Sequence, residues 1–277
     1  MKKLFLFTLL FCTLTLIAGA QLRTPAPSPT QSIRQDFGLS RIELTYSRPN
    51  AKNRKVMGDL VPYGKVWRTG ANNATTLQFG DDVIIGGVTV PAGKYGLVSI
   101  PDKDNWTLII TKLLNVTQPG EYNKDSDIVR VSAKPVLMKD KVESFTMQFA
   151  NMAPSSCELH LMWENTAVAL PIKTNIDGKI MSQIAEAMTK DNPPYFAAAS
   201  YYYDNGRDLT KAREWAQKAM EASPKAFYVV HLLAKIQAKT GDKKAAIATA
   251  QRSIELSKEA KNDDYVKLNE KLIEGLK

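Results

Sequence analysis

The residues of this chain whose types and spacing could do chemistry lie in two places. The first is the segment Val66-Trp-Arg-Thr-Gly-Ala-Asn-Asn73, joined by Arg48 from an earlier strand. Trp67 offers an apolar ring on which a sugar or a guanidinium can stack. Arg68 brings a fork of N–H donors that matches carboxylate or phosphate, and Asn72 and Asn73 supply donors and acceptors together. Arg48 follows Ile42, Leu44 and Tyr46 in the same alternating phase, which aims it inward, so it must be paired or solvated. Two readings fit. Either these residues form a recognition surface for a glycan or a small acidic ligand, or Trp67 plugs the end of a β fold, Arg48 ties down loop carbonyls and the asparagines hold turns at positive φ. The second place is Tyr228, His231 and Lys235, on one face of a helix, where they would line a groove for a peptide or protein partner.

Other chemistry is thinly represented. His160 and His231 are the only histidines and fall in different predicted domains. Cys157 has no second thiol near it and alternates in phase with Leu159 and Leu161, the pattern of a core thiol; His160 takes the opposite, polar face. A structural zinc site needs four ligands, so no metal and no cofactor is expected. A serine nucleophile needs an adjacent base and an oriented partner, and no Gly-x-Ser-x-Gly elbow is present, so no catalytic residue is assigned. Glu43, Asp59 and Glu164 could converge as a carboxylate pair of the glycosidase kind. That convergence is the basis of an alternative reading as a hydrolase of envelope glycans.

The elements that must position these residues read as strands. Period-two alternation starts near Leu39 and recurs at Thr75–Phe79, Val83–Ile85, Tyr95–Leu97, Trp106–Ile110, Val129–Val131, Phe145–Phe149, Cys157–Trp163 and Val168–Ile172. Gly86-Gly87 between Ile85 and Val88 signals a two-residue hairpin. Many short strands with regular turns and no intervening helix predict an antiparallel β-sandwich over residues 36–174. Residues 49–73 are long for a connection, but Val56, Met57, Leu60 and Val61 mark them as an ordered excursion pinned onto the sheet.

From Asn175 the pattern becomes helical and continues to residue 277. Ala216-Gln-Lys-Ala-Met-Glu221 and Ala250-Gln-Arg-Ser-Ile-Glu255 are two copies of one helix, 34 residues apart, the tetratricopeptide period. Small residues such as Ala199, Ala212, Ala219, Ala246 and Ser253 would let paired helices approach closely. The fold class expected is therefore mainly β plus α: an antiparallel β-sandwich followed by a C-terminal tetratricopeptide-like helical-repeat tail.

Ahead of the sandwich, residues 1–20 have the form of a secretory signal, with Lys2 and Lys3, an apolar run from Leu4 to Ile17 and a small-residue site at Ala18-Gly19-Ala20. Cys12 sits behind Phe11 in mid-run, unlike a lipoprotein signal. Residues 21–35, with Pro25, Pro27 and Pro29, read as a flexible linker. The expected compartment is the periplasm or the extracellular space, with no transmembrane segment in the mature chain. The formal net charge of +9 falls by two, to +7, on losing Lys2 and Lys3. Lysines at helical spacing on a solvated face explain that balance, so nucleic acid is not an expected partner.

The runs Tyr46-Ser-Arg-Pro49, Gly58-Asp-Leu-Val-Pro-Tyr-Gly64, Val66-Trp-Arg-Thr-Gly-Ala-Asn72 and Val90-Pro-Ala-Gly-Lys-Tyr-Gly-Leu97 resemble the exported family called domain of unknown function 2911. The resemblance covers roughly residues 36 to 173, with Asn53 where that family commonly has glycine and Met57 where an aromatic is usual. It implies a signal peptide in front, tetratricopeptide-like helices behind, and no established activity. The functional expectation is a non-catalytic exported binding or protein-interaction module of the cell envelope. Secretion of the full chain from a Gram-negative host should release a product whose intact mass begins at Gln21; a product retaining residues 1–20 would contradict the leader.

Overall fold

The computed structural model describes residues 24–277; the leader, Cys12 and the cleavage site lie outside the described residues. The chain forms two compact units, one ending at Ile176 and one spanning Asp177–Lys277. The first contains ten strands: β1 (Thr30–Phe37), β2 (Ser40–Ser47), β3 (Thr76–Phe79), β4 (Val83–Ile85), β5 (Val88–Val90), β6 (Gly93–Ile100), β7 (Trp106–Thr111), β8 (Asp127–Ala133), β9 (Val136–Ala153) and β10 (Ser156–Lys173). They build a six-stranded sheet in the order β1-β2-β3-β6-β7-β8 and a four-stranded sheet in the order β5-β4-β10-β9. All pairings are antiparallel.

The sandwich follows from the alternation. Ile42, Leu44 and Tyr46 of β2 and Leu108 and Ile110 of β7 turn inward from one sheet to meet Phe145, Met147, Leu159, Leu161 and Trp163 of the other, in one core. Gly86 and Gly87 sit at φ 57° and 81° and close the β4–β5 hairpin with Ile85 opposite Val88. Positive φ at both central positions is the twist-matched turn for such a hairpin. β6 and β7 are covered on their outer face as well, where Val98 and Ile109 pack with Val116 and Val66 in a smaller cluster.

One expectation needs correction. The stretch read as linker up to residue 35 already contains β1, paired with β2 from Thr30 opposite Ser47 to Phe37 opposite Ser40. β1 is an edge strand and sends only Ile33 and Phe37 to the core, so it lacks the apolar alternation by which its neighbours show themselves. Asn53, in the place of a glycine, sits at φ 61°; asparagine is among the few other residues that tolerate this region. Met57 is buried in the core.

The excursion is ordered, as its apolar content requires. Val56 and Val61 enter the main core, and Trp67 exchanges backbone hydrogen bonds with Ser99 of β6 at 2.7 and 2.9 Å. Its start is sewn to β9. Phe145 N–H donates to the Pro49 carbonyl (2.8 Å) and Ala51 N–H to the Glu143 carbonyl (2.9 Å), while Ser144 Oγ donates to Asn50 Oδ1 (2.6 Å).

The second unit contains six helices: α1 (Asp177–Ala187), α2 (Tyr195–Asp204), α3 (Leu209–Ala222), α4 (Phe227–Lys239), α5 (Lys243–Glu259) and α6 (Asp263–Glu274). From α2 onward, each helix packs on the next. The repeated segments fall on α3 and α5, and the small residues Ala199, Ala212, Ala246 and Ser253 are fully buried, as close helix approach demands. Asp208 and Asp242 cap α3 and α5 by accepting backbone N–H bonds. Between α4, α5 and α6 runs a buried polar chain: Asn269 Nδ2 donates to Ser253 Oγ (2.9 Å), which donates to the Phe227 carbonyl (2.8 Å).

Truncating a large side chain in such a core removes its burial and leaves a cavity. Trp163→Ala should therefore cost about 3–5 kcal/mol, read as a lower urea midpoint for the β unit. Leu137→Ser, at a side chain 84% exposed, should stay within about 0.5 kcal/mol. Equal losses in the two variants would contradict this account of the core.

Candidate functional site

The excursion between β2 and β3 presents the candidate residues, and its backbone is bent to do so. Thr69 is fully buried at φ 57°, a conformation that costs a β-branched residue on the order of 1–3 kcal/mol. Three hydrogen bonds hold it there. Its Oγ1 donates to the Trp67 carbonyl (3.2 Å) and lies 2.9 Å from Ser99 Oγ, and its own carbonyl accepts from Thr75 Oγ1 (2.7 Å). Gly70 follows at φ 155°, where a Cβ would stand 3.0 Å from the Ser47 carbonyl. The Trp67-Arg68 pair is thereby set in place from behind.

Trp67 is largely committed to structure. Its ring stacks on Trp163 (5.9 Å between centroids, 19° between planes) and meets Phe145 and Trp106 edge-on at 5.0 and 6.3 Å. Its indole N–H donates to the Gly70 carbonyl (3.0 Å). Arg48 is structural too. Its Nε donates to the Phe145 carbonyl (3.2 Å) and its Nη2 to Thr146 Oγ1 (2.9 Å), so it ties β2 to β9 rather than to loop carbonyls. Asn72, at φ 55°, donates from Nδ2 to the Ser28 carbonyl (3.0 Å). Asn73 is exposed. The turn role expected of the asparagines is thus visible at Asn72.

Arg68 opens onto a cleft of about 540 Å³. Trp67 and Trp163 line it together with an apolar wall of Leu60, Pro62, Val66, Val116 and Pro119. Among the described residues its charged lining is Arg54, Lys65 and Arg68, with no Asp, Glu, His or Cys. Arg54 and Lys65 escape sequence reasoning because nothing local distinguishes them from surface cations; only the path of the excursion brings them beside Arg68. Arg68 Nη1 donates to the Thr117 carbonyl, which joins the excursion to the segment after β7. Behind that segment, Glu121 Oε2 accepts from Thr117 N (2.7 Å), Thr117 Oγ1 (2.9 Å) and Gln118 N (3.1 Å). These bonds, and more weakly the charge of Arg68, hold its carboxyl below the usual range.

Two of the three carboxylates of the hydrolase reading are engaged elsewhere. Glu43 pairs with Arg41 at 2.8 Å on the exposed face of β2, and Glu164 Oε2 accepts from Val56 N–H (2.8 Å). Asp59 is exposed. None of them lines the cleft. His160 Nε2 bonds Glu158 (2.7 Å). Cys157 is buried and free, its thiol pushed up to about 11 by burial and by Glu158. Among the described residues no group of three or more His, Cys, Asp or Glu could hold a metal, and no helix is long and apolar enough to cross a membrane.

In the helical unit, His231 and Lys235 line an open groove of about 470 Å³ with Tyr203, Tyr265, Leu268 and Lys271. Tyr228 belongs to a neighbouring hollow, packed edge-on against Phe196 at 5.1 Å. His231 Nδ1 lies 2.8 Å from Asn269 Oδ1, its ring edge-on to Tyr265. Because Asn269 Nδ2 is spent on Ser253 and the Tyr265 carbonyl, its Oδ1 accepts and His231 Nδ1 donates. Lys235 sits over the Tyr203 ring at 4.5 Å.

A family described as protein of unknown function (DUF2911) matches residues 28–172. No curated protein and no solved structure matches the chain.

Burial, aided by Lys235 and opposed by the Asn269 bond, holds the His231 pKa below its ordinary 6.5. The unfolded chain therefore takes up that proton first, and the stability His231 contributes, full above 6.5, is lost as pH falls from 6.5 through the lower value of the folded state. With two histidines in the whole sequence, ring-proton NMR resolves this directly. The resonance absent from His231→Gln should titrate below 6.5, and a midpoint at or above 6.5 would contradict the buried, neutral ring.

Proposed function

The chain belongs to the family described as protein of unknown function (DUF2911), and from that premise we propose that it is a non-catalytic, exported binding module of the cell envelope. The cleft beside Trp67 and Arg68 is its ligand site. One observation carries this reading: among the described residues the cleft is lined by cations, aromatics, apolar side chains and the neutral polar Ser28, Thr117 and Gln118, and by no carboxylate. Glycoside hydrolysis requires two carboxyl groups roughly 5–9.5 Å apart across the scissile bond, and an acyl-transfer site requires a nucleophile with a base. Among the described residues this cleft is lined by no carboxyl pair, and by no His, Cys or carboxylate that would make up a triad. Its volume and its mostly apolar wall with a few polar groups suit a small-molecule site.

A second surface of the same module is the groove of His231, Lys235 and Lys271 in the tetratricopeptide-like tail. Its open shape and basic, aromatic lining favour a peptide or protein partner over a small ligand.

The test is thermal unfolding of residues 21–277 against a panel of envelope glycans, small acids and peptides, with product analysis of every hit. A ligand at 100 times its dissociation constant adds about 2.7 kcal/mol, a visible shift. Arg68→Ala should abolish the shift for a cleft ligand while leaving a peptide shift intact. Turnover of any hit would replace the binding module with the hydrolase reading.

A further inference from the structure

Accepting the cleft as the ligand site, we infer that its ligand carries an oxyanion, carboxylate or phosphate, on an apolar body rather than being a neutral sugar. Three side chains of one sign converge there, and each keeps donors to spare. Arg54 commits Nε to the Ala51 carbonyl (2.9 Å) and Nη2 to the Asn50 carbonyl (2.8 Å), so its Nη1 is unbonded among the described residues. Arg68 commits Nη1 alone, leaving Nε and Nη2. Lys65 meets no acceptor among the described residues. The two bonded guanidiniums are thus held in position by main-chain oxygens and still present a free edge, the arrangement in which arginine recognises carboxylate and phosphate. Glu121 is the carboxylate that feels the charge of Arg68, and its Oε2 is taken up by Thr117 and Gln118.

The rest of the wall decides the body of the ligand. A neutral glycan is ordinarily gripped by an open aromatic face and by paired donors and acceptors. Here Trp67 has already spent its ring on Trp163, Phe145 and Trp106. Among the described residues no Asp, Glu, Asn or His side chain lines the cleft; its neutral polar side chains are Ser28, Thr117 and Gln118, and Thr117 Oγ1 is already spent on Glu121. Leu60, Pro62, Val66, Val116 and Pro119 instead form an apolar surface next to the cations. An anionic head against Arg54, Lys65 and Arg68 with an apolar portion on that wall satisfies both halves.

Calorimetric titration of residues 21–277 with decyl phosphate, decanoate and neutral octyl glucoside, all below their micelle concentrations, tests this. Both anions should bind, the glucoside at least about tenfold more weakly. Lys65→Gln, which breaks no bond within the protein, should weaken the anions about tenfold and leave the glucoside unchanged. Arg54→Gln should act in the same direction. Preference for the phosphate or for the decanoate identifies the source of the anion, and either supports the inference. Equal binding of the glucoside, anion affinities unaffected in both variants, or no binding of either anion overturns it. A neutral glycan that binds in an Arg68-dependent way would overturn this inference yet keep the binding module. Turnover of any hit would remove the module itself.

Discussion

Everything distinctive about the β unit depends on the few hydrogen bonds by which the chain, on leaving β2, is sewn to β9. Arg48, Pro49, Asn50 and Ala51 bond Glu143, Ser144, Phe145 and Thr146, and Tyr46 Oη, one turn of the pleat earlier, accepts from Met147 N–H at 2.9 Å. These contacts join a strand of the six-stranded sheet to the edge strand of the four-stranded one. They cover part of an edge that would otherwise show unpaired N–H and C=O groups. They also fix where the excursion begins, and so where Trp67 lands on the aromatic cluster and where Arg68 opens to solvent.

The cleft is accordingly a by-product of closure. The excursion crosses the end of the sandwich because its start is held at β9 and its later part is held at Ser99 of β6. Just beyond the second of those points Thr69 is kept in the left-handed region by hydroxyl and carbonyl bonds to Trp67, Ser99 and Thr75. Strain of this kind persists only where its surroundings over-determine it. The unit thus keeps a cation-lined hollow whose lining, among the described residues, holds no Asp, Glu, His or Cys.

Much of the fold was legible because burial writes itself into sequence with a period. The alternation of β2, β7 and β10, the Gly86-Gly87 turn, the core placement of Cys157 and the 34-residue recurrence on α3 and α5 all follow from which faces are dry. β1 was illegible because an edge strand buries little. The site was legible only in part. Arg68 and Trp67 announced themselves by type, but Trp67 proved to be mostly packing, and Arg48 a tie between sheets. Arg54 and Lys65 became visible only when the excursion was folded, because convergence of distant cations leaves no local pattern. Tyr228 shares a helical face with His231 and Lys235, yet Phe196 of α2 claims it for another hollow.

Cys157 gives the β unit an internal clock. In the folded state its thiol is inaccessible and protonated well above neutrality, and thiolate is the reactive form. In the unfolded chain it reverts to an ordinary exposed thiol. Residues 21–277 hold Cys157 as their one cysteine, so the rate at which a thiol reagent consumes that chain reports how often the sandwich opens, with no label, mutation or ligand introduced.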